Sequence, residues 1–175
     1  LMNERNAIGA GSGGAPPKAG SGPVSILTKM WSETPEGLRS NVTRDRMMQL
    51  YVRSETQRLT NIRAGQNRRK GNPGPEMSIA KLAFAELNQD LLTAAVDMMG
   101  MAGQVDYDYT FRRPEDLSVD GSENGVQHGF LRVRANSIEG GTSEIMRNIL
   151  GEQVLGLPGE PRVDKDVPWI EVPRG

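Results

Sequence analysis

The chain has 175 residues, with 21 basic and 22 acidic side chains and a formal net charge of -1. This length suits one domain with its own hydrophobic core, and the balanced charge argues against a polyanionic partner. The absence of cysteine excludes disulfides, thiolate zinc sites and cysteine catalysis, and it fits a reducing compartment such as the cytoplasm. No apolar run approaches the roughly 20 residues of a membrane span, so we expect none.

The first segment, "LMNERNAIG", is typical of the end of a helix that is stopped by glycines. Because the chain begins inside that helix at Leu1, we expect it to be a fragment of a longer protein. Residues 11–22 are rich in glycine and proline and predict a loop. Pro23 is suited to a first helical turn and starts a short helix, "VSILTKMW", which ends near Pro35 and Gly37.

Two long helices are predicted next, over residues 42–64 and 75–99, because apolar side chains recur at helical spacing in both. In the first helix these residues are Met48, Val52, Leu59 and Ile62. In the second they are Ala80, Phe84, Leu87, Leu91, Ala95 and Met98.

A third helical region is interrupted. It runs over residues 126–135, breaks at "SIEGG", and resumes over residues 142–155. Prolines then predict an extended, non-helical tail over residues 157–175. Because no stretch alternates like a strand, the fold class is predicted as all-α, a four-helix bundle with one broken helix spanning residues 1–156.

The break carries the segment "SIEGGTSE", which combines features of a binding loop. Gly140 and Gly141 can adopt positive φ, and Thr142 or Ser143 can cap the following helix. Backbone N–H groups at such a helix start suit an anion or a polarised carbonyl. A plain helix cap preceded by a glycine turn explains the same residues, and they do not decide between the two.

Longer segments carry a resemblance. "FLRVRANSIEGGTSEIMRNILGEQVLGLPGEPR" resembles the C-terminal segment of the acyl-CoA dehydrogenase family of flavoenzymes. "LMNERNAIG", "PGPEMSIAKLAFAELNQDL" and "AVDMMGMAG" are similar to that family's preceding signatures, in the expected order. The resemblance implies the family's C-terminal helical domain, without the N-terminal helical and middle β-domains of a full-length member, and a fragment that is inactive alone.

In that family a carboxylate removes the α-proton of an acyl-CoA thioester while the β-hydrogen leaves as hydride to N5 of FAD. The thioester carbonyl is hydrogen-bonded to stabilise the developing charge. The resemblance implies that Gly140 supplies a carbonyl-binding amide and that Gly141, Thr142, Ser143 and Glu144 lie near the flavin's diphosphate and adenine side. It further implies electron-transfer flavoprotein as electron acceptor and a homo- or hetero-tetramer.

Two positions compete for the base. Many members carry a glutamate directly before the Gly-Thr pair, where this chain has Gly140. Glu139 lies one residue earlier, in a register that speaks against it. Another branch, which includes isovaleryl-CoA and long-chain dehydrogenases, carries the base in a Glu-Arg pair on the opening helix, and Glu4-Arg5 matches that pair. We therefore predict Glu4 as base and Arg5 as its support, with Glu139 as the alternative.

Two departures from the family bear on the flavin site. The Arg-x-x-Phe-Gly segment that reaches a neighbouring subunit's flavin has no counterpart after the opening helix. The Gln-x-x-Gly-Gly loop is replaced by Asp97–Met101, in which Gly100 is retained as a flavin-contact candidate and equally suits a helix C-cap. Such departures fit a member that works as one half of a hetero-oligomer.

Two further hypotheses stay open beside the enzymatic one. A non-catalytic helical assembly subunit would keep the long helices and lose the chemistry. Nucleic-acid binding would use the arginine-rich end of the first long helix, but acidic neighbours and the lack of stacking aromatics favour a solvated face. His128, the single histidine, has no clustered partner ligand, so no metal or triad role is assigned to it.

Overall fold

The computed structural model describes residues 17–71, 76–105, 125–159 and 167–172. Within these ranges the chain is all-α, without strands, as predicted. Five α-helices are present: α1 (Val24–Glu33), α2 (Asn41–Arg69), α3 (Glu76–Met99), α4 (Gly125–Arg132) and α5 (Ser143–Ile149). Short 3-10 segments cover Glu36–Leu38, Gly100–Gln104, Val133–Ser137 and Trp169–Glu171, and a π-helical turn covers Leu150–Val154.

The predicted elements that lie within the described residues match the observed ones with some differences in their ends, and the helix end predicted in "LMNERNAIG" lies outside the described residues. The helices predicted over residues 126–135 and 142–155 end as α-helices at Arg132 and Ile149, and they continue as the 3-10 segment Val133–Ser137 and the π-helical turn Leu150–Val154. The helix predicted over residues 42–64 continues to Arg69, where Gly71 with its φ of 74° lies just beyond the end. The tail, predicted as non-helical, contains the 3-10 turn Trp169–Glu171. Pro168 explains this turn, because its fixed φ suits a turn start and its carbonyl accepts the Glu171 N–H at 2.9 Å.

Helix α3 is the centre of the described bundle, since it contacts α1, α2, α4, α5 and the 3-10 segment Val133–Ser137. Its predicted apolar stripe is confirmed. Four of its members are at most 5% exposed: Ala80, Leu87, Leu91 and Ala95. They contribute to a core that also contains Val24, Leu27, Met47, Leu50, Leu92, Ala94 and Val133. None of the described helices is long and apolar enough to cross a membrane.

The apolar stripe predicted for α2 does not face the core, which corrects that prediction. Met48, Val52 and Leu59 are 47%, 60% and 57% exposed, whereas the buried apolar residues of this helix include Met47 and Leu50. Helical spacing identifies residues that share a face, but it does not say which face meets the core when two apolar faces exist. At about 100° per residue, Met47 lies about 100° and Leu50 about 160° around the helix axis from Met48, so the buried face is largely opposite the predicted one.

Among the described residues, three ion pairs join α2 to α3. Arg63 Nε lies 3.3 Å from Glu76 Oε1, Arg46 Nη1 lies 2.6 Å from Asp97 Oδ2, and Arg53 Nη1 lies 2.6 Å from Asp90 Oδ2. The four side chains of the last two pairs are about half exposed, so each of these pairs contributes roughly 0–1 kcal/mol and orients the two helices more than it stabilises them.

Candidate functional site

The candidate site is the turn between α4 and α5. After the 3-10 segment Val133–Ser137, the N–H groups of Ile138 and Glu139 both donate to the carbonyl of Ala135 at 2.9 Å. Gly140 and Gly141 follow with φ values of 65° and 102°, a region that side chains other than glycine rarely adopt. The predicted positive φ at both glycines is therefore confirmed, and it explains why the helix breaks at this point.

A lysine from the central helix holds this turn. Lys81 of α3 is 1% exposed, and its Nζ donates to the carbonyl oxygens of Asn136 at 2.9 Å and of Gly141 at 2.6 Å. Sequence reasoning missed Lys81, although it interrupts the apolar run "SIAKLAF" at a position where a solvated lysine is unexpected. The ammonium group thus lies beneath the loop predicted to bind substrate and flavin.

The start of α5 resolves which hydroxyl caps the helix. Thr142 is the N-cap residue, and its Oγ1 accepts the Ile145 N–H at 3.3 Å. Ser143 is 7% exposed and lies in the first turn. Of the two predicted flavin-side hydroxyls, Thr142 is the more accessible, because it is half-buried.

Glu144 is the exposed acid of this first turn, with 77% of its side chain accessible. A hydrogen bond from its own backbone N–H lowers the pKa of its carboxyl, and a bond with the Thr142 hydroxyl and the charges of Arg147 and Lys81 lower it further. Glu144 is therefore an anion at neutral pH. A carboxylate only accepts hydrogen bonds, so it suits a hydroxyl or an amine of a ligand and is unfavourable against a phosphate.

Glu139 makes an ion pair within the same turn. Both of its carboxylate oxygens accept from Nη2 of Arg132, at 3.2 and 3.0 Å. The two side chains are 35% and 20% exposed respectively. This pairing occupies the carboxylate with a neighbouring cation and favours a structural role for Glu139.

The predicted base and its support, Glu4 and Arg5, lie outside the described residues. Gly140, the predicted carbonyl-binding residue, is buried, and Gly141 is half-buried. The turn therefore brings together Gly140, Gly141 and the first residues of α5. That Glu4 lies close to this turn stays a prediction.

Gly100, the remaining flavin-contact candidate, follows the last residue of α3. Its φ is 59°, and a Cβ built on it would contact nothing within 4 Å. A left-handed glycine at this position is the usual end of a helix. Asp97, which stands where the family has glutamine, pairs with Arg46, so this segment has an evident structural role.

The side chains at the start of α5 offer hydrogen-bond acceptors and donors that can be compared with the polar groups of FAD. Its ribose and ribityl hydroxyls and its adenine amine are donors that Glu144 can accept, and the Thr142 hydroxyl can donate or accept. The charge of Lys81 below the loop offsets that of Glu144. The donor and acceptor set therefore fits FAD, with Glu144 suited to a hydroxyl or the adenine amine.

Other candidate sites are weaker. A groove of about 270 Å³ between α2 and α3 is lined by none of the predicted site residues. Among the described residues, no group of three or more histidine, cysteine or acidic side chains is arranged to hold a metal. His128 lies half-buried in α4.

Residues 1–155 match the family model described as "Acyl-CoA dehydrogenase, C-terminal domain". Acyl-CoA dehydrogenase IpdE1 of Mycolicibacterium smegmatis is 37% identical over 89 residues, which are 50% of this chain and 19% of that protein. IpdE1 of Mycobacterium tuberculosis is 34% identical over 90 residues, which are 51% of this chain and 20% of that protein.

Two solved structures share the fold. "Tcur3481-Tcur3483 steroid ACAD" superposes with a TM-score of 0.62 at 20% identity, over 79% of this chain and 35% of that one. The ChsE4-ChsE5 complex of Mycobacterium tuberculosis superposes with a TM-score of 0.61 at 20% identity, over 79% of this chain and 36% of that one. The chain thus spans about a fifth of the length of the curated relatives it matches. Its family match over residues 1–155 shows that it belongs to the acyl-CoA dehydrogenase family and carries the C-terminal helical domain.

Proposed function

We propose that the protein to which this domain belongs catalyses the α,β-dehydrogenation of an acyl-CoA thioester and uses Glu4 as the base. The observation that carries the choice of base is the backbone at Gly140. Its φ of 65° is one that a glutamate rarely adopts, so this turn is built for glycine where many members carry the base. This supports a base at another position, and Glu4 stands in the Glu-Arg pair of the opening helix, with Glu139 as the alternative.

Each residue of the proposed site has its own role in the reaction. Glu4 accepts the α-proton, and Arg5 holds the orientation of the Glu4 carboxylate. The Gly140 amide donates to the thioester carbonyl, so that the charge developing on its oxygen is stabilised as the α-proton leaves. Thr142, Ser143 and Glu144, with Gly141 and Gly100, line the surface that holds FAD.

FAD, when bound, supplies the acceptor for the β-hydrogen, which leaves as hydride. Electron-transfer flavoprotein, the acceptor that the family implies, takes the electrons onward. We place this reaction in the cytoplasm, as a step of acyl-chain β-oxidation. The domain described here contributes the base and part of the flavin surface, and the rest of the protein completes the site.

Substrate and assembly are proposed from the fold relatives. One solved structure is described as a steroid acyl-CoA dehydrogenase with two components, and another as a complex of two proteins. Together with the altered Asp97–Met101 segment, they favour a thioester on a steroid and a hetero-oligomer in which a second subunit provides flavin contacts. A homotetramer acting on a branched or long acyl chain is the alternative.

Full-length protein with its bound flavin tests the proposal. Anaerobic addition of straight-chain, branched and steroid-linked acyl-CoA thioesters should bleach the flavin absorbance with at least one of them. Glu4→Gln should then abolish bleaching while flavin content stays unchanged. A bound flavin that no thioester bleaches, with or without a co-purified partner subunit, would favour a non-catalytic assembly subunit instead.

A further inference from the structure

The burial of Lys81 demands an explanation. Lysine is almost never fully buried unless it is paired, because an ammonium group loses its hydration. Lys81 is 1% exposed in the middle of α3, so the groups around it have to hold its ammonium. Its hydrogen bonds to the Asn136 and Gly141 carbonyls offset part of this cost. A buried cation is seldom the most stable choice for packing alone, so its position beneath the turn points to a role there.

The two acceptors flank the turn. Asn136 belongs to the 3-10 segment that follows α4, and Gly141 directly precedes the Thr142 cap of α5. One side chain therefore fixes both ends of residues 137–140. Because the described peptide bonds are trans, a Gly141 carbonyl that faces Lys81 directs the Thr142 N–H away from Lys81.

We propose that Lys81 is a positioning residue for the reaction: its ammonium sets the conformation of the Gly140–Gly141 turn and places a positive charge below it. This inference rests on the proposed function for its effect on catalysis. An enolate-like thioester oxygen held by the Gly140 amide lies in the field of that charge. Preorganised charge of this kind acts mainly on the transition state, so Lys81 affects turnover more than ground-state binding.

The test uses full-length flavoprotein and a thioester that bleaches it. Lys81→Met keeps the length of an apolar stem while removing the charge and both hydrogen bonds. It should lower kcat on the order of 100-fold while KM stays within about threefold and flavin content is unchanged. The control is Arg53→Met, which removes a half-exposed cation paired with Asp90, and its kcat should stay within about twofold of the unaltered enzyme.

Several results would overturn the proposal. These are a Lys81→Met kcat within about threefold of the unaltered enzyme, or a loss confined to KM. If Lys81→Met does not accumulate as folded protein, Lys81→Arg replaces it. That variant keeps the charge but puts a larger planar group against the Gly141 carbonyl, so kcat should fall about tenfold with flavin content preserved. An unchanged kcat in Lys81→Arg would then reject the positioning role.

Amide hydrogen exchange separates failure of this inference from failure of the proposed function. In Lys81→Met, or in Lys81→Arg where that is the folded variant, the peptide covering residues 136–146 should exchange faster than in the unaltered protein. Exchange in α2 should not change, because the turn that Lys81 holds lies between α4 and α5. This outcome supports positioning even if no thioester is turned over, whereas unchanged exchange at residues 136–146 contradicts it.

Discussion

Glu139 and Arg132 form an ion pair in the break between α4 and α5, with both carboxylate oxygens accepting from one guanidinium nitrogen at 3.2 and 3.0 Å. The seven-residue separation spans the 3-10 segment Val133–Ser137, so the pair closes this segment onto the end of α4. A general base has to approach the proton it removes. A carboxylate already held by a neighbouring arginine is better suited to stabilising the turn.

The first prediction concerns the two candidate bases. In full-length flavoprotein, Glu139→Gln should keep kcat within about tenfold of the unaltered enzyme, whereas Glu4→Gln should lower it by roughly 10²–10⁴-fold. The glutamine at position 139 can still accept a hydrogen bond from Arg132, which limits the structural damage. Stopped-flow bleaching of the flavin measures both rates. A larger loss in Glu139→Gln than in Glu4→Gln would transfer the base to Glu139.

The second prediction compares two leucines. Leu27 of α1 is 0% exposed and Leu59 of α2 is 57% exposed. Leu27→Ala should therefore lower the free energy of unfolding by about 2–5 kcal/mol, because it leaves a cavity. Leu59→Ala should change it by no more than about 0.5 kcal/mol. Urea denaturation of the 175-residue chain followed by circular dichroism measures both. Equal losses would show that the α2 stripe packs within this chain after all.

Much of the fold was predictable because its signals are local. The stripe of α3, the proline at the start of α1 and the glycines at the break each act within a few residues, and each prediction was confirmed. The orientation of α2 was not predictable in this way. Both of its faces carry apolar residues, and the choice between them depends on how Met47 and Leu50 pack in the core with residues of α3.

The site was predictable only in part, for a similar reason. Spacing and residue type indicate the Gly140–Gly141 turn and the cap at Thr142, since both are properties of neighbouring residues. Lys81 is 60 residues from Gly141 in sequence, and its hydrogen bond depends on how α3 packs beneath the turn. A lysine flanked by apolar residues is only a weak sequence signal of a buried role. The groups that it binds are known only from the packing of α3 against the turn.

The third prediction uses two glycines. A Cβ at Gly103 would lie 2.6 Å from the Val96 carbonyl oxygen and 3.2 Å from the Met99 Cβ. Gly103→Ala should therefore cost about 1–3 kcal/mol of stability through steric overlap with backbone that cannot easily move. Gly65→Ala is the matched control, because a Cβ there meets nothing within 4 Å and Gly65 lies inside α2.

For the control variant, the expected change in the free energy of unfolding has the opposite sign. Gly65→Ala should raise the free energy of unfolding by about 0.5–1 kcal/mol, since alanine loses less backbone entropy in a helix than glycine. Thermal and urea unfolding of both variants check the pair. A neutral Gly103→Ala would mean that the segment after α3 shifts to accommodate a methyl group, and that Gly103 is not needed for its packing.

The last prediction is a pH dependence centred on Glu55. The Gly20 N–H donates to Oε1 of Glu55 at 2.8 Å, and Arg58 Nε donates to Oε2 at 2.8 Å. The Gly20 hydrogen bond first, and Arg58 second, lower the pKa of the Glu55 carboxyl in the folded chain. A lowered folded pKa means that the stabilisation is fully present above the unfolded value of about 4.3 and is lost as pH falls through the folded pKa.

Glu55→Gln should therefore be less stable than the unaltered chain at pH 7, and the difference should shrink steadily below about pH 4. Urea midpoints measured at several pH values between neutral and acidic conditions would follow it. Glu55 ties Gly20 to α2, and it also holds Arg58, whose Nη1 donates to the Pro17 carbonyl. Proteolysis in residues 17–20 should therefore also become faster in the variant at neutral pH. A difference in midpoint that stays constant as the pH is lowered would show that Glu55 acts through packing and not through its charge.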